Sequence, residues 1–376
     1  MSTKLQMVDL VSQYQKIKPE IDEAIMDVLS KASFIGGEHV KKFKTDLEHY
    51  LNIRHVIPCA NGTDALQIAF MALGLQPGDE VIVPAFTYVA TAEVIALLHL
   101  KPVLVDVNPD DFNINIQEIQ EAIGPKTKAI VPVHLFGQCA NMEPIMDIAQ
   151  KHNLYVVEDT AQAIGSDYYN SNGMNMKAGT IGHIGCTSFF PSKNLGCYGD
   201  GGAIFTASDE LSKQITMVAN HGQSMQYYHD VVGVNSRLDA IQAAVLDIKL
   251  KHLDEYAAAR VRAANYYDQA FSSHDHLIIP YRNTHSSHVF HQYTLKVTNG
   301  QRDALKEYLS LNHIPCAIYY PLPLYKQKAF APFCNEVNYL PVTDQLCKEV
   351  ISLPMHTELT HESQDIIIEK VLSFFK

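Results

Sequence analysis

A basic surface is the first thing this sequence lacks: 29 Lys and Arg stand against 41 Asp and Glu, leaving a net charge of −12. No global field therefore draws nucleic acid or anionic lipid, and any anionic ligand must be held by local chemistry. No apolar run approaches the roughly 18 residues of a membrane span, and the N-terminal stretch has no basic segment leading into an apolar one, so the expected place is the cytoplasm. The seven cysteines (Cys59, Cys139, Cys186, Cys197, Cys316, Cys334 and Cys347) are odd in number and include no CxxC pair. That pattern suits reduced thiols and argues against both a disulfide framework and a zinc site. The dinucleotide fingerprint GxGxxG is missing, which removes the usual nicotinamide or flavin phosphate loop. Internal repeats and low-complexity segments are absent as well.

What remains is an ordinary globular composition, 47% hydrophobic and 19% charged over 376 residues. That is enough for one large domain and a smaller one. Apolar residues at helical spacing (Ile17, Ile21, Ile25, Val28, Val40, Phe43, Leu47), interrupted by Phe34-Ile35-Gly36-Gly37, predict two helices and a turn. From position 80, β-branched runs at Val81–Val83, Pro102–Val105, Ala129–Val133 and Tyr155–Val157 alternate with helical segments near 89–99, 115–122 and 141–151. This βαβα order implies an α/β fold whose mostly parallel sheet is covered on both faces and binds ligands beyond the carboxyl ends of its strands. Two further strands near 184–189 and 202–206, a helix at 208–219 and one long helical stretch over 236–271 are expected. A smaller α+β region follows, with a strand at 293–297, a helix at 302–312, a Pro/Tyr-rich loop at 319–325 and a closing helix from His361.

Three segments sit where a parallel sheet keeps its chemistry. Asn61-Gly62-Thr63-Asp64 enters a helix; free N–H groups there can cradle an anion, and equally the segment is a turn with a Thr cap. Asp159 ends an apolar strand and precedes Thr160-Ala161-Gln162, either as a ligand carboxylate or as a helix cap. Lys193 lies in Phe189-Phe190-Pro191-Ser192-Lys193-Asn194-Leu195-Gly196, flanked by aromatic, Pro and Gly residues. It is either a loop lysine at the surface or one desolvated enough to offer a neutral amine. Gly199-Asp200-Gly201-Gly202 is read as a connector without ligand contact. Taken in order, a Gly-Thr helix start, the aromatic segment Phe86-Thr87-Tyr88, an Asp-x-x-Gln and a lysine are the parts that hold pyridoxal 5′-phosphate: phosphate, ring, pyridine nitrogen and aldehyde respectively.

The motifs NGTDAL (61–66), PAFTYVATAE (84–93), VVEDTAQAIG (156–165), TSFFPSKNLGCYGDGGA (187–203), NHGQ (220–223) and VGVNSRLDAIQAA (232–244) carry a resemblance over essentially the whole chain. The sequence resembles the DegT/DnrJ/EryC1/StrS sugar aminotransferases, a branch of the fold-type-I pyridoxal phosphate enzymes. That resemblance implies a seven-stranded, mostly parallel sheet flanked by helices in a large cofactor-binding domain (1–250, with the N-terminal helices). It also implies a linking helix with a smaller C-terminal α+β domain (251–376), and a homodimer with shared active sites.

By the same resemblance Lys193 matches the Schiff-base lysine, Asp159 the pyridinium partner, and Gln162 the residue near the ring hydroxyl. Tyr88 matches the stacking aromatic; Gly62, Thr63 and Ser188 match the phosphate cradle, and Asn235 the phosphate contact from the neighbouring subunit. Relatives that dehydrate carry His in place of this lysine, so Lys193 implies transamination, with L-glutamate and 2-oxoglutarate as the donor pair. The stretches TSFFPSKNLGCYGDGGAIFT and YPLPLYKQ are similar to those of enzymes acting on UDP-2-acetamido-3-keto-glucuronic acid, on the way to bacterial surface polysaccharide such as lipopolysaccharide. Arg237 then meets the sugar carboxylate. Tyr319-Tyr320-Pro321 replaces the more usual His-Tyr-Pro, which leaves a dTDP-linked 3-keto-6-deoxyhexose, contacted by the Tyr319 hydroxyl, as the alternative; Tyr320 is a further expected substrate contact. A cofactor-binding regulator without turnover is the remaining reading. The His285–His291 cluster is expected as exposed strand residues, with the border of the sugar groove as its other placement.

Overall fold

The computed structural model describes residues 5–334 and 339–376. Two helices open the chain, α1 (Leu10–Lys31) and α2 (Gly37–Leu51), followed by β1 (His55–Cys59) and α3 (Gly62–Ala72). An alternating stretch runs through β2 (Glu80–Pro84), α4 (Ala90–Leu97), β3 (Lys101–Val105), α5 (Ile116–Ala122), β4 (Thr127–Ile130), α6 (Met142–His152) and β5 (Tyr155–Asp159). A hairpin of β6 (Asp167–Tyr169) and β7 (Asn175–Lys177) leads to β8 (Ile184–Ser188), β9 (Gly202–Thr206) and α7 (Asp209–Ala219). Next come β10 (Gln223–Met225), β11 (Tyr228–His229), α8 (Ala240–Leu250), α9 (Leu253–Phe271) and β12 (Leu277–Ile278). The chain ends with β13 (Tyr293–Val297), α10 (Arg302–Leu311), α11 (Pro341–Glu349), β14 (Val350–Leu353) and α12 (His361–Phe374).

The central sheet has seven strands in the order β1-β9-β8-β5-β4-β2-β3. Pairings from β8 through β3 are parallel, and β9 runs antiparallel to both of its neighbours. Alternation along each strand divides its side chains between two faces. Val81 and Val83 of β2, Ile57 of β1 and Ile204 of β9 join one apolar cluster with residues of α3, α4 and α7. Ile82 and Ile130 join Ile145 and Ile148 of α6 in a second cluster, and Val56, Ala203 and Phe205 join Phe43 and Leu246 in a third. Helices thus cover both sides, as strands with near-continuous apolar runs require. The edge strand β1, which the sequence pattern did not single out, contains Pro58. A residue without an N–H is tolerated there because β1 has a partner on one side only.

The three-stranded antiparallel sheet β12-β13-β14 packs Leu295 and Ile351 against Tyr267, Phe271, Leu305 and Ile367 from α9, α10 and α12. The single helix expected over 236–271 is two helices, divided at Lys251–His252 and beginning at Ala240. Residues 232–239 are held extended instead: Ser236 accepts from Ala60 N and donates to Asp64, and Asp239 bridges Ile35. The break lets α8 pack among α1 and α2 while α9 turns to the small sheet, two burial demands that one straight helix cannot meet. All seven cysteines are free thiols. Among the described residues no helix is long and apolar enough to cross a membrane.

Candidate active site

The carboxyl ends of β1, β2, β5 and β8 converge on a cavity of about 740 Å³. Nine of the sequence-derived site residues line it: Gly62, Thr63, Tyr88, Asp159, Gln162, Ser188, Lys193, Tyr319 and Tyr320. Asn235 and Arg237 do not; both are exposed on the extended segment that Ser236 pins to the start of α3. Their side chains alternate with buried Ser236 and Leu238, so they face away from the body of their own chain.

At the end of β5, consecutive carboxylates take opposite sides of the sheet. Glu158 is fully buried beneath it, where His134 Nε2 donates to Oε2 at 2.8 Å and the N–H groups of Gly179, Ile181 and Gly182 donate at 2.9, 2.7 and 2.5 Å. The tautomer of His134 follows from its other nitrogen, since Nδ1 accepts from Ala140 N at 3.1 Å. A buried carboxylate is tolerable only when its lone pairs are met, and here four donors meet them. Asp159 emerges on the cavity side, 7% exposed. Thr91 Oγ1 donates to its Oδ2 at 2.7 Å and Ala161 N to its Oδ1 at 3.1 Å, which fixes the plane of the carboxylate while leaving each oxygen a lone pair.

Lys193 rides on a tight loop. Phe189 donates to Gly201 O at 2.7 Å, Cys197 N to Phe189 O at 2.8 Å, and Lys193 N to Phe190 O at 2.8 Å. A Cβ on Gly196 would stand 2.4 Å from Pro191 O, and buried Lys249 donates to Gly196 O at 2.8 Å from beneath. Lys193 itself is half-buried, and withdrawal from water pushes its pKa down to about 8 against the opposing pull of Asp159. The loop therefore presents an amine that is already partly neutral near pH 7.

Opposite it, Asn61 caps α3 by accepting from Asp64 N at 2.8 Å, leaving the first N–H groups of the helix at the cavity. A Cβ at Gly62 would meet Ser188 Cβ at 2.6 Å, so only glycine lets the helix start lie against β8. Gly202 is held for the same reason, its Cβ position lying 2.5 Å from the Asn61 carbonyl. Gln162 is oriented at both ends: its Oε1 accepts from Phe136 N at 2.9 Å, and its Nε2 donates to Tyr320 Oη at 3.1 Å. Tyr88 is 57% exposed at the mouth, its ring 6.4 Å from that of Tyr320. Thr87 Oγ1, buried in the cavity wall, has no hydrogen-bond partner. A helix N-terminus, a fixed carboxylate, an amine of depressed pKa and an orphaned hydroxyl on one cavity fit pyridoxal 5′-phosphate.

Several residues of the site carry no signal of their own in the sequence pattern. Thr91 and Glu158 lie inside the motifs PAFTYVATAE and VVEDTAQAIG, and the pair Glu158-Asp159 at a strand end points to them, because alternation puts two adjacent carboxylates on opposite faces. Asp200, read as part of a contact-free connector, lines the cavity. The histidine cluster is not a run of exposed strand residues: residues 285–291 precede β13, and His291 is buried in the cavity wall, which agrees with the other expected placement, at the groove. The reason is tertiary, since isolated bridges from Ser286 to Tyr168 of β6 and from His288 to Gln138 in the loop after β4 tie this segment to the large domain.

Residues 15–372 match the model of the DegT/DnrJ/EryC1/StrS aminotransferase family, and the chain belongs to that family. It is 45% identical over 363 residues to the UDP-2-acetamido-2-deoxy-3-oxo-D-glucuronate aminotransferase of Pseudomonas aeruginosa, covering 96% of this chain and 98% of that one. It is also 44% identical to a pleiotropic regulatory protein of Geobacillus stearothermophilus, with 98% of each chain covered. The structure of NtdA from Bacillus subtilis with bound cofactor PMP superposes with a TM-score of 0.91 at 30% identity, covering 99% of this chain and 85% of that one.

Proposed function

We propose that the protein moves an amino group from L-glutamate to a keto nucleotide sugar, UDP-2-acetamido-3-keto-glucuronic acid being the first choice, for bacterial surface polysaccharide in the cytoplasm. The observation that carries this is Lys193, an amine with pKa near 8 sharing a cavity with the doubly anchored Asp159. When bound, pyridoxal 5′-phosphate supplies the electron-withdrawing ring that accommodates the charge left as a proton departs from the substrate carbon.

The chain's residues do the rest. Lys193 Nζ would be the covalent attachment point for the cofactor aldehyde, and its free amine would serve as the base that takes the proton from the amine-bearing carbon and as the acid that delivers one to the neighbouring cofactor carbon. Asp159 would face the pyridine nitrogen with its remaining lone pairs and keep it protonated. The N-terminus of α3, with Gly62, Thr63 and Ser188, would hold the phosphate, Gln162 would orient the ring hydroxyl, and Tyr88 would cover the ring face. Residues 1–250 carry these groups, and 251–376 close the cavity with His291, Tyr319 and Tyr320. Lys193 is the one Lys or Arg lining the cavity among the described residues. A sugar carboxylate would therefore need Arg237 from a second copy of the chain, and Asn235 would reach the phosphate by the same route, in a homodimer with shared sites.

A regulator needs no such constellation, and a dTDP-linked 3-keto-6-deoxyhexose needs no arginine. Borohydride reduction followed by peptide mapping should find the cofactor on Lys193, and glutamate should bleach the bound-cofactor absorbance; failure of both would sink the aminotransferase reading. Arg237→Ala should impair the uronate far more than the neutral hexose, and equal losses would remove the uronate from first place.

A further inference from the structure

Beside Lys193 the cavity wall carries an imidazole without a task. His291 is 6% exposed, and its Nδ1 lies 3.3 Å from Asn194 Oδ1. Asn194 Nδ2 donates to Val289 O at 3.0 Å, so the amide's orientation is set and Oδ1 is an acceptor. An acceptor has no hydrogen to give; the single N–H of a neutral imidazole must therefore sit on Nδ1, and Nε2 keeps its lone pair. Withdrawal from water, then the charges of Lys193 and Arg260, hold the ring's pKa well below its ordinary value, so it stays neutral. Among the described residues nothing donates to Nε2, and His291 lines the cavity.

The placement is rigid. Val289 N donates to Gly137 O at 2.8 Å, and Arg260 Nη1 donates to the carbonyls of Phe290 and His291 at 3.0 and 3.4 Å. Gly137, at φ +110°, lets the backbones meet: a Cβ there would stand 2.9 Å from His291 N. Its neighbour Phe136 donates to Gln162, so imidazole and amide hang on one frame.

A bare lone pair excludes the acceptor-only parts of a nucleotide sugar, its phosphates and any carboxylate, and selects an O–H or N–H. A group next to Lys193 meets the part of the sugar next to the reacting carbon. We propose that His291 determines specificity in the sugar half-reaction, its Nε2 accepting a hydrogen bond from the O–H or N–H on a ring carbon adjacent to the keto carbon. The proposal rests on the sugar aminotransferase reading. Glutamate carries no such hydroxyl, so the two half-reactions should part company when the lone pair is lost.

The test uses holoenzyme with His291→Phe, which keeps the ring volume without the lone pair, and His291→Gln, whose carbonyl can replace it. In His291→Phe, kcat/KM for the sugar half-reaction should fall about tenfold further than for the glutamate half-reaction, with partial recovery in His291→Gln. Keto sugars deoxygenated at one neighbouring carbon, or lacking the acetamido N–H at the other, should identify the donor by closing the gap between wild type and His291→Phe. Independently, ¹⁵N spectra of histidine-labelled holoenzyme should show the Nδ1-protonated tautomer, with the Nε2 signal moving when the amino-sugar product is added. Equal losses in both half-reactions, no loss in either, or a proton on Nε2 would each overturn the proposal. A wild-type protein whose absorbance glutamate leaves unchanged would instead overturn the aminotransferase reading beneath it.

Discussion

Thr91 donates its hydroxyl hydrogen to Oδ2 of Asp159 across 2.7 Å, tying the first turn of α4 to the carboxyl end of β5. The bond joins two elements 68 residues apart in sequence, and it fixes which lone pairs of the carboxylate remain for a ligand.

Thr91→Val should therefore cost transamination through orientation, with the fold intact. The expected loss is about tenfold in kcat, the rate equivalent of roughly one hydrogen bond, with a shift of the bound-cofactor absorbance. Thr91→Ser, which restores the hydroxyl, should return both. A Val variant with wild-type spectrum and rate would show that Ala161 N alone suffices.

Glu158 is the structural counterpart of Asp159. Glu158→Gln brings an NH₂ against backbone donors that need an acceptor, so about 3 kcal/mol of stability should be lost. Denaturant midpoints of cofactor-free protein would measure it. His134→Ala should be destabilising for the same reason, and the double variant less so than the sum, because both partners are then gone.

At Gly62 the obstacle is Ser188 Cβ at 2.6 Å. Gly62→Ala should weaken cofactor binding about tenfold by moving the helix start from β8, the scale of one lost charge-assisted contact. Fluorescence titration with pyridoxal 5′-phosphate would measure the loss. An unchanged affinity in Gly62→Ala would mean that the phosphate is held elsewhere.

In the cofactor-free protein Lys193 titrates near 8, against 10.5 for an ordinary lysine. The lowered value favours the neutral amine, so cofactor attachment should speed up as pH rises toward 8 and level off above it. Below 8 the rate should change by close to tenfold per pH unit, as the neutral fraction does. A profile rising without a break to pH 10 would mean that the cavity does not desolvate this amine.

Much of this was legible from residue order. The βα alternation from Val81 to Val157 announced a parallel sheet, whereas Asp159 and Lys193 were ambiguous taken singly and stood out only in combination with Gly62-Thr63, Tyr88 and the family motifs. The edge strand β1 escaped because Pro58 hides it and its partner, β9, lies far along the chain. The turn at Lys251–His252 escaped because helical periodicity continues through it; competing burial on two sheets breaks the helix. His291 shows the limit most clearly. Local pattern offered an exposed strand, whereas a long-range approach through Gly137 buries the ring beside Lys193 and assigns its proton. Residue order settles which reactive groups exist and which elements carry them, since period and turn chemistry are local. Which lone pairs and amines face the cavity follows from the folded packing, because burial, hydrogen-bond saturation and pKa depend on neighbours distant in the chain.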